Sequence, residues 1–317
     1  MDHSLLNTLF QKAIEQDDVR AVGLVVAIAV SNYVKPDRYL IDAYFLPALE
    51  ELTTLSNADW ILDTWYRPQT KSLINDLEVA DISVVLRNLE ALITIDFHAE
   101  EILYLLSGKA PEEVLDYLCD RMMSSRATKT KRMRTFDAIP FEFHKLPQAM
   151  SPYIQEALTK VRSSYDGNYG MFVYAGARLI FVLFPEFSPQ LERGLLQYLK
   201  STERSDIEFV LAILRHYKGQ PLTHRVLKGI VRILEPNSTL RNEVAAVLQS
   251  TGVVSGEFGF VEAYQSKREE VREWLSDPEE RITDFAQWYI AGLDEMISTE
   301  RSRAEEEIAL RRHAFGE

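Results

Sequence analysis

Cysteine is almost absent: Cys119 is the only one in 317 residues. No intrachain disulfide can form, which excludes a disulfide-stapled scaffold, and a Cys-rich structural zinc site is excluded with it. Glycine and proline are sparse, at 13 and 12 residues, too few for a loop-rich all-β fold or a low-complexity chain. Cations are in deficit, since 35 Lys and Arg against 48 Asp and Glu give a formal net charge of −13. A protein that coats duplex DNA over a wide face needs clustered cations, so that class is disfavoured. Long apolar runs are missing as well. The most apolar stretch, Ala21 to Val30, is half the ~20 residues a bilayer span takes, and it reads as a buried core helix. The opening MDHSLLNTLFQKAIEQ has no basic region followed by an apolar run, so no secretory signal is expected and the expected location is the cytoplasm.

Helical spacing fills the chain. Leu5, Leu6, Leu9, Phe10, Ala13 and Ile14 recur every three to four residues, one face of a helix with Ser4 as its N-cap. The same spacing predicts helices over Asp18–Val30, from Pro36 to about Leu49 with a kink at Pro47, and over Asn57–Trp65, Asp81–Ile95 and Ala99–Leu106. Pro111 followed by Glu112 and Glu113 suits the positive end of a helix that runs to about Met123. Beyond the middle, helices are predicted over Tyr153–Val161, Tyr169–Phe184, Pro189–Leu199, Asp206–Tyr217, Pro221–Leu234, Ser238–Thr251, Phe258–Leu275 and Pro278–Arg312. No alternating run is long enough for a sheet. The turns between the later helices are two to five residues long, as in stacked antiparallel helix pairs, and no fixed-period identity accompanies them. The expected fold is therefore all-α, an irregular α-solenoid of antiparallel helix pairs.

Between Met123 and Tyr153 the character changes. Ser124–Arg134 (SSRATKTKRMR) carries Arg126, Lys129, Lys131, Arg132 and Arg134 and no acid, and Phe136–Pro147 (FDAIPFEFHKLP) is aromatic and punctuated by proline. This marks a junction over 124–150 between an N-terminal helical half, 1–123, and a C-terminal half, 151–317. The basic run has two readings: a contact for nucleic acid or an acidic partner, held by Coulomb attraction, or a solvated linker. Phe141, Phe143 and His144 are candidates for a pocket wall, because an aromatic loop can line one.

The segment Leu275-Ser276-Asp277-Pro278-Glu279-Glu280-Arg281-Ile282, with Phe285, Ala286, Ile290 and Leu293 after it, resembles the second half of a HEAT repeat. The resemblance implies that Pro278 starts a helix, Asp277 caps it and Arg281 reaches a carboxylate of the adjoining repeat. Arg225–Leu234 and Arg241–Leu248 resemble it without the Asp-Pro turn. From Asp206 onward the chain is similar to the HEAT-like helical segments at the C-terminal ends of bacterial STAND-type NTPases of defence systems. That likeness implies a scaffold or sensor module, and no catalytic residue carries over from it.

Motifs for chemistry are lacking. Gly108-Lys109-Ala110 has neither the upstream glycine nor the hydroxyl of a phosphate loop, and Gly252, Gly256 and Gly259 follow no strand, so they read as a turn between helices. None of the six histidines forms H-E-x-x-H, and His98 beside Glu100 and Glu101 is not a complete metal site. Tyr165, Tyr169, Phe172, Tyr174 and Phe181 fit a core helix better than a pocket, entered through an Asp-Gly-Asn turn. Glu300–Arg312 is an exposed helix of interleaved charge. These absences favour a non-enzymatic protein-interaction scaffold that needs no cofactor or metal. The alternative is a nucleic-acid-binding or base-processing HEAT-like protein, similar in architecture to the helical-repeat DNA glycosylases, that uses segment 126–134.

If the basic segment contacts phosphates, replacing Lys129, Lys131, Arg132 and Arg134 by Ala weakens oligonucleotide retention in filter binding. It also lowers the log–log salt slope by about 0.7–0.9 per lost contact. A linker role predicts no change in either.

Overall fold

In a computed structural model of the chain, residues 3–16, 18–31, 38–54, 64–65, 67–92, 94–127, 139–165, 167, 169–217, 223–249 and 254–315 are described. The fold is all-α: every element is helical, and no strand occurs among the described residues. No helix among them is long and apolar enough to cross a membrane.

Two compact units form. The first comprises Met1–Ser164 and Tyr174–Phe184, the second Tyr165–Val173 and Pro185–Glu317. The first unit holds α1 (His3–Glu15), α2 (Val19–Ser31), α3 (Arg38–Leu40), α4 (Leu46–Thr54), α5 (Pro68–Ile74), α6 (Val79–Leu89), α7 (Phe97–Ser107), α8 (Pro111–Ala127), α9 (Leu146–Met150) and α10 (Ile154–Ser163). A short α11 (Tyr169–Tyr174) belongs, except for Tyr174, to the second unit, and α12 (Gly176–Leu183) to the first. The second unit continues with α13 (Pro189–Tyr198), α14 (Arg204–Leu214), α15 (Thr223–Ile233), α16 (Leu240–Leu248), α17 (Gly259–Arg272) and the long α18 (Glu280–Phe315).

The apolar stripes that the spacing predicts are the surfaces that pack. In the first unit α2 lies against α1, α4 and α5, α4 against α6, and α5 against α7. Both α6 and α7 pack on α8, and α8 on α10 and α12. Within this core Asn88 is fully buried, and its side chain is saturated: Oδ1 accepts from Trp65 Nε1 at 2.7 Å, while Nδ2 donates to Leu49 O at 3.1 Å and Thr53 Oγ1 at 2.9 Å. Lys109 gathers the turn after α5, donating to Ile74 O at 3.3 Å and Leu77 O at 2.8 Å.

In the second unit α13 packs on α14 and α15, α14 on α16, and α15 on α16 and α18. Charged pairs tie α15 and α16 to the start of α18 and the turn before it. Lys228 meets Asp277 and Arg241 meets Asp284, both at 3.0 Å, and Arg232 meets Glu279 at 2.8 Å. Asp277 Oδ1 accepts the Glu279 N–H at 3.2 Å, and Arg281 donates to Arg232 O at 3.0 Å with Glu235 3.4 Å away.

Two expectations change. The helix predicted over Tyr169–Phe184 is two helices, broken at Ala175 (φ −116°, ψ −74°), with its parts in different units. Around Pro47 the helix predicted from Pro36 is not one continuous α-helix. A π-helical turn, Ile41–Phe45, precedes α4 and absorbs the proline, which cannot donate to the preceding turn. The first compact unit runs through the segment 124–150 as far as Ser164, with α9 packed on α7 and α10 on α8. The short helix predicted over Asn57–Trp65 lies outside the described residues except at Thr64 and Trp65. The glycine turn after α16 is a turn: Gly256 has φ +90°, and a Cβ at Gly259 would come within 2.7 Å of Val254 Cγ1.

Truncating Asn88 to Ala orphans the Trp65 indole N–H inside the core and takes a donor from Leu49 O. The expected cost is about 2–4 kcal/mol in urea unfolding. A loss below about 1 kcal/mol would contradict the network's role.

Candidate interaction site

The most elaborated surface lies where α7 meets the loop before α9. Asp96 caps α7, its Oδ1 accepting the Ala99 N–H at 2.9 Å, and so fixes the angular positions of Phe97, His98, Glu100 and Glu101. Glu100 turns inward and is 5% exposed. Its Oε1 accepts the backbone N–H groups of His144 and Lys145, each at 2.5 Å, and of Leu146 at 3.1 Å. These are donors at the start of α9 that have no partner within the helix, so a carboxylate more than forty residues upstream serves as their cap. A carboxylate met by several N–H groups tolerates burial that an unmatched one would not. Behind it Phe143 and Leu146 enter the core, at 4% and 0% exposure.

Glu101, the next residue, faces outward. It receives Lys145 Nζ at 2.8 Å and Lys71 Nζ in a short contact. Hydrogen bonds from these two ammonium groups, Lys145 first, hold the Glu101 carboxyl down at about 2. The same pair raises Lys145 above its ordinary value. Lys71 Nζ also lies 2.9 Å from His98 Nδ1.

With the backbone of the loop anchored, two aromatic rings stay in solvent. Phe141 is 81% exposed, with the Arg178 guanidinium carbon 4.2 Å from its centroid. Arg178 donates to Ile139 O at 2.8 Å, which ties it to the same loop. Phe97 is 52% exposed, with Lys145 Nζ 5.4 Å from its centroid. Each ring is braced by a cation, an arrangement worth about 0.5–1 kcal/mol at an exposed site.

The expected site residues are dispersed. Phe141 points to solvent and Phe143 into the core, so the two do not share a wall; His144 is exposed, 4.0 Å from Glu142. Arg126 lies in α8, while Lys129, Lys131, Arg132 and Arg134 lie outside the described residues. Lys71, Phe97, Glu100, Glu101, Lys145 and Arg178 were not singled out by the sequence as parts of one surface. Residues two apart in an extended segment share a face, so the spacing of Phe141 and Phe143 gave no sign that one ring faces out and the other in.

Elsewhere, Tyr165 and Phe172 pack edge to face at 4.9 Å and Phe172 meets Phe209 at 5.4 Å, a core cluster rather than a pocket. No group of His, Cys, Asp and Glu among the described residues could hold a metal ion. Burial pushes the Cys119 thiol up to about 12, far from the range of a reactive thiolate. A cleft of about 380 Å³ between the start of α17 and the distal part of α18 has Phe260 and Ala304 in its walls. Its arginines are taken up by its own acids: Arg311 by Glu257 at 3.0 Å and Arg303 by Glu307 at 3.4 Å.

Glu100→Ala leaves three donors without their acceptor. It should cost about 2–4 kcal/mol and speed amide exchange selectively at residues 144–146. Glu101 gives an acid-side signature. Its folded value lies below the 4.5 of the unfolded chain, so its contribution is complete above pH 4.5 and is lost as pH falls toward 2. Glu101→Gln should flatten that part of the stability profile, read by thermal melts across the range.

No family model matches the chain, and no curated protein matches it.

Proposed function

We propose that the chain is a non-enzymatic protein-interaction scaffold, an irregular HEAT-like α-solenoid of antiparallel helix pairs. The observation that supports this most directly is the packing order: α13 contacts α14 and α15, α14 contacts α16, and α15 contacts α16 and α18. Helix pairs stacked in series place most of their contacts between helices one or two apart in the chain, as all of these are except α15 with α18, and the extended faces of such stacks serve binding rather than chemistry. The rim pairs Lys228–Asp277 and Arg241–Asp284 support the same reading, as does the position of Arg281 over the end of α15. A role in a cytoplasmic signalling or defence assembly of bacteria follows the resemblance of the C-terminal half to helical segments of STAND-type NTPases. The nucleic-acid alternative rests on segment 126–134. The described part of the neighbouring loop lends it little, because Lys71 and Lys145 are already engaged by Glu101.

Purification of the tagged full chain from its native host, followed by mass spectrometry of protein and nucleic acid, tests the reading. A stoichiometric protein partner without nucleic acid is expected, and no ATP or GTP turnover by the purified chain. Co-purifying nucleic acid that depends on segment 126–134, or turnover abolished by a substitution in this chain, would refute it.

A further inference from the structure

We propose that the start of α7 and the loop anchored by Glu100 form the docking face for an acidic, apolar segment of a partner protein. In this arrangement a partner carboxylate sits between Lys71 and Lys145, and an apolar side chain lies on Phe97 or Phe141. The inference rests on the scaffold reading and adds the place and the chemistry of one contact.

Three observations carry it. The first is exposed aromatic area on a fixed backbone. Phe141 and Phe97 are 81% and 52% exposed, yet the loop between Ile139 and Leu146 is held by three N–H bonds to one buried carboxylate and by Arg178. Ordered aromatic side chains bind with little further loss of freedom, and they are the side chains that anchor interfaces. The second is charge. Toward solvent, two ammonium groups share the single carboxylate of Glu101, while the charge of Glu100 is directed inward onto backbone donors. Arg178 adds a guanidinium beside Phe141, and the one acid of the loop, Glu142, lies within 4.0 Å of His144. A second carboxylate would give each lysine its own partner. The third is contrast with the whole chain. A net charge of −13 works against an acidic partner over the chain as a whole, and at this face Lys71, Lys145 and Arg178 stand beside Asp96, Glu101 and Glu142, so the attraction is confined to the point where two lysines share one carboxylate. A nucleic acid would meet the same rings, but lysines already shared with Glu101 favour one or two carboxylates over a continuous phosphate track.

The test is selection of a random peptide library, about 12 residues long, on the immobilised full chain. Parallel selections use two variants, Phe141→Ser and Lys145→Gln. Phe141 contributes almost nothing to the core, so its variant should melt like the wild type even if Lys145→Gln loosens the loop. Peptides enriched on the wild type should carry Asp or Glu within two residues of Phe, Trp, Leu or Ile, and both variants should lose the enrichment. In fluorescence anisotropy, replacing the acids of an enriched peptide by their amides should weaken binding at least about tenfold, and raised salt should weaken the parent peptide. No enrichment over a blank surface, enrichment without acids, or enrichment indifferent to both substitutions overturns the proposal. So does a single-stranded oligonucleotide of about 20 nucleotides held at ~50 mM salt by the wild type and released by both variants, which would assign the face to nucleic acid. If a native protein partner still co-purifies with both variants, the docking face fails and the scaffold reading stands. If peptides enrich as expected and no native partner is found, the scaffold reading fails and the face does not.

Discussion

Apart from α18, with 36 residues, the described helices have seventeen residues or fewer, and helices that short are marginal in water and hold only if their apolar stripes are buried. Each helix here therefore depends on the ones that cover it, and the packing of α2 on α1, α4 and α5, or of α15 on α13, α16 and α18, is the condition for any of them to persist. Most of the interior meets that condition with leucine, isoleucine and valine. A few polar groups are buried among them: Asn88 is saturated by Trp65, Leu49 and Thr53, while the Trp274 indole N–H and the Tyr289 hydroxyl find no hydrogen-bond partner among the described residues.

Where apolar stripes cannot do the work, a carboxylate does. The loop between α8 and α9 joins the first unit through Phe143, Leu146 and Met150, but the start of α9 brings bare N–H groups to the same place. Glu100 satisfies them. Its neighbour Glu101 is about 100° further round the helix, and that single step turns one carboxylate inward to order a loop and the other outward to gather Lys71 and Lys145. The exposed rings follow from this anchoring. A loop held by its backbone can leave Phe141 in water, with Arg178 against the ring, without losing its conformation.

The second unit uses charge differently. Its pairs tie α15 and α16 to the start of α18 and the turn before it, at Lys228–Asp277, Arg232–Glu279 and Arg241–Asp284. Partly exposed pairs of this kind contribute about 0–1 kcal/mol each and fix register more than they add stability. Register matters there because α17 and α18 run side by side, tied by Arg268–Asp294 and, farther along, by Arg311–Glu257, each at 3.0 Å.

Helix content and the position of most helices were legible in the sequence, because apolar spacing and capping residues are local. Pro111, Pro189 and the Asp277-Pro278 turn stand at or just before helix starts, and Pro185 follows the end of α12. The break at Ala175 was not legible: Phe172, Ala175 and Leu179 keep helical spacing straight through it, and only the separate burial of its two sides in different units divides the helix. The segment 124–150 was legible as a change of composition, but composition does not say which neighbour a loop packs against, and residues through Ser164 belong to the first compact unit. The candidate surface was the least legible part. Phe141 and Phe143 could be named from their neighbourhood, but Lys71, Phe97, Glu100, Lys145 and Arg178 are spread over more than one hundred residues. Bringing them to one face required the packing of α5, α7, α9 and α12, a long-range outcome that no local pattern encodes.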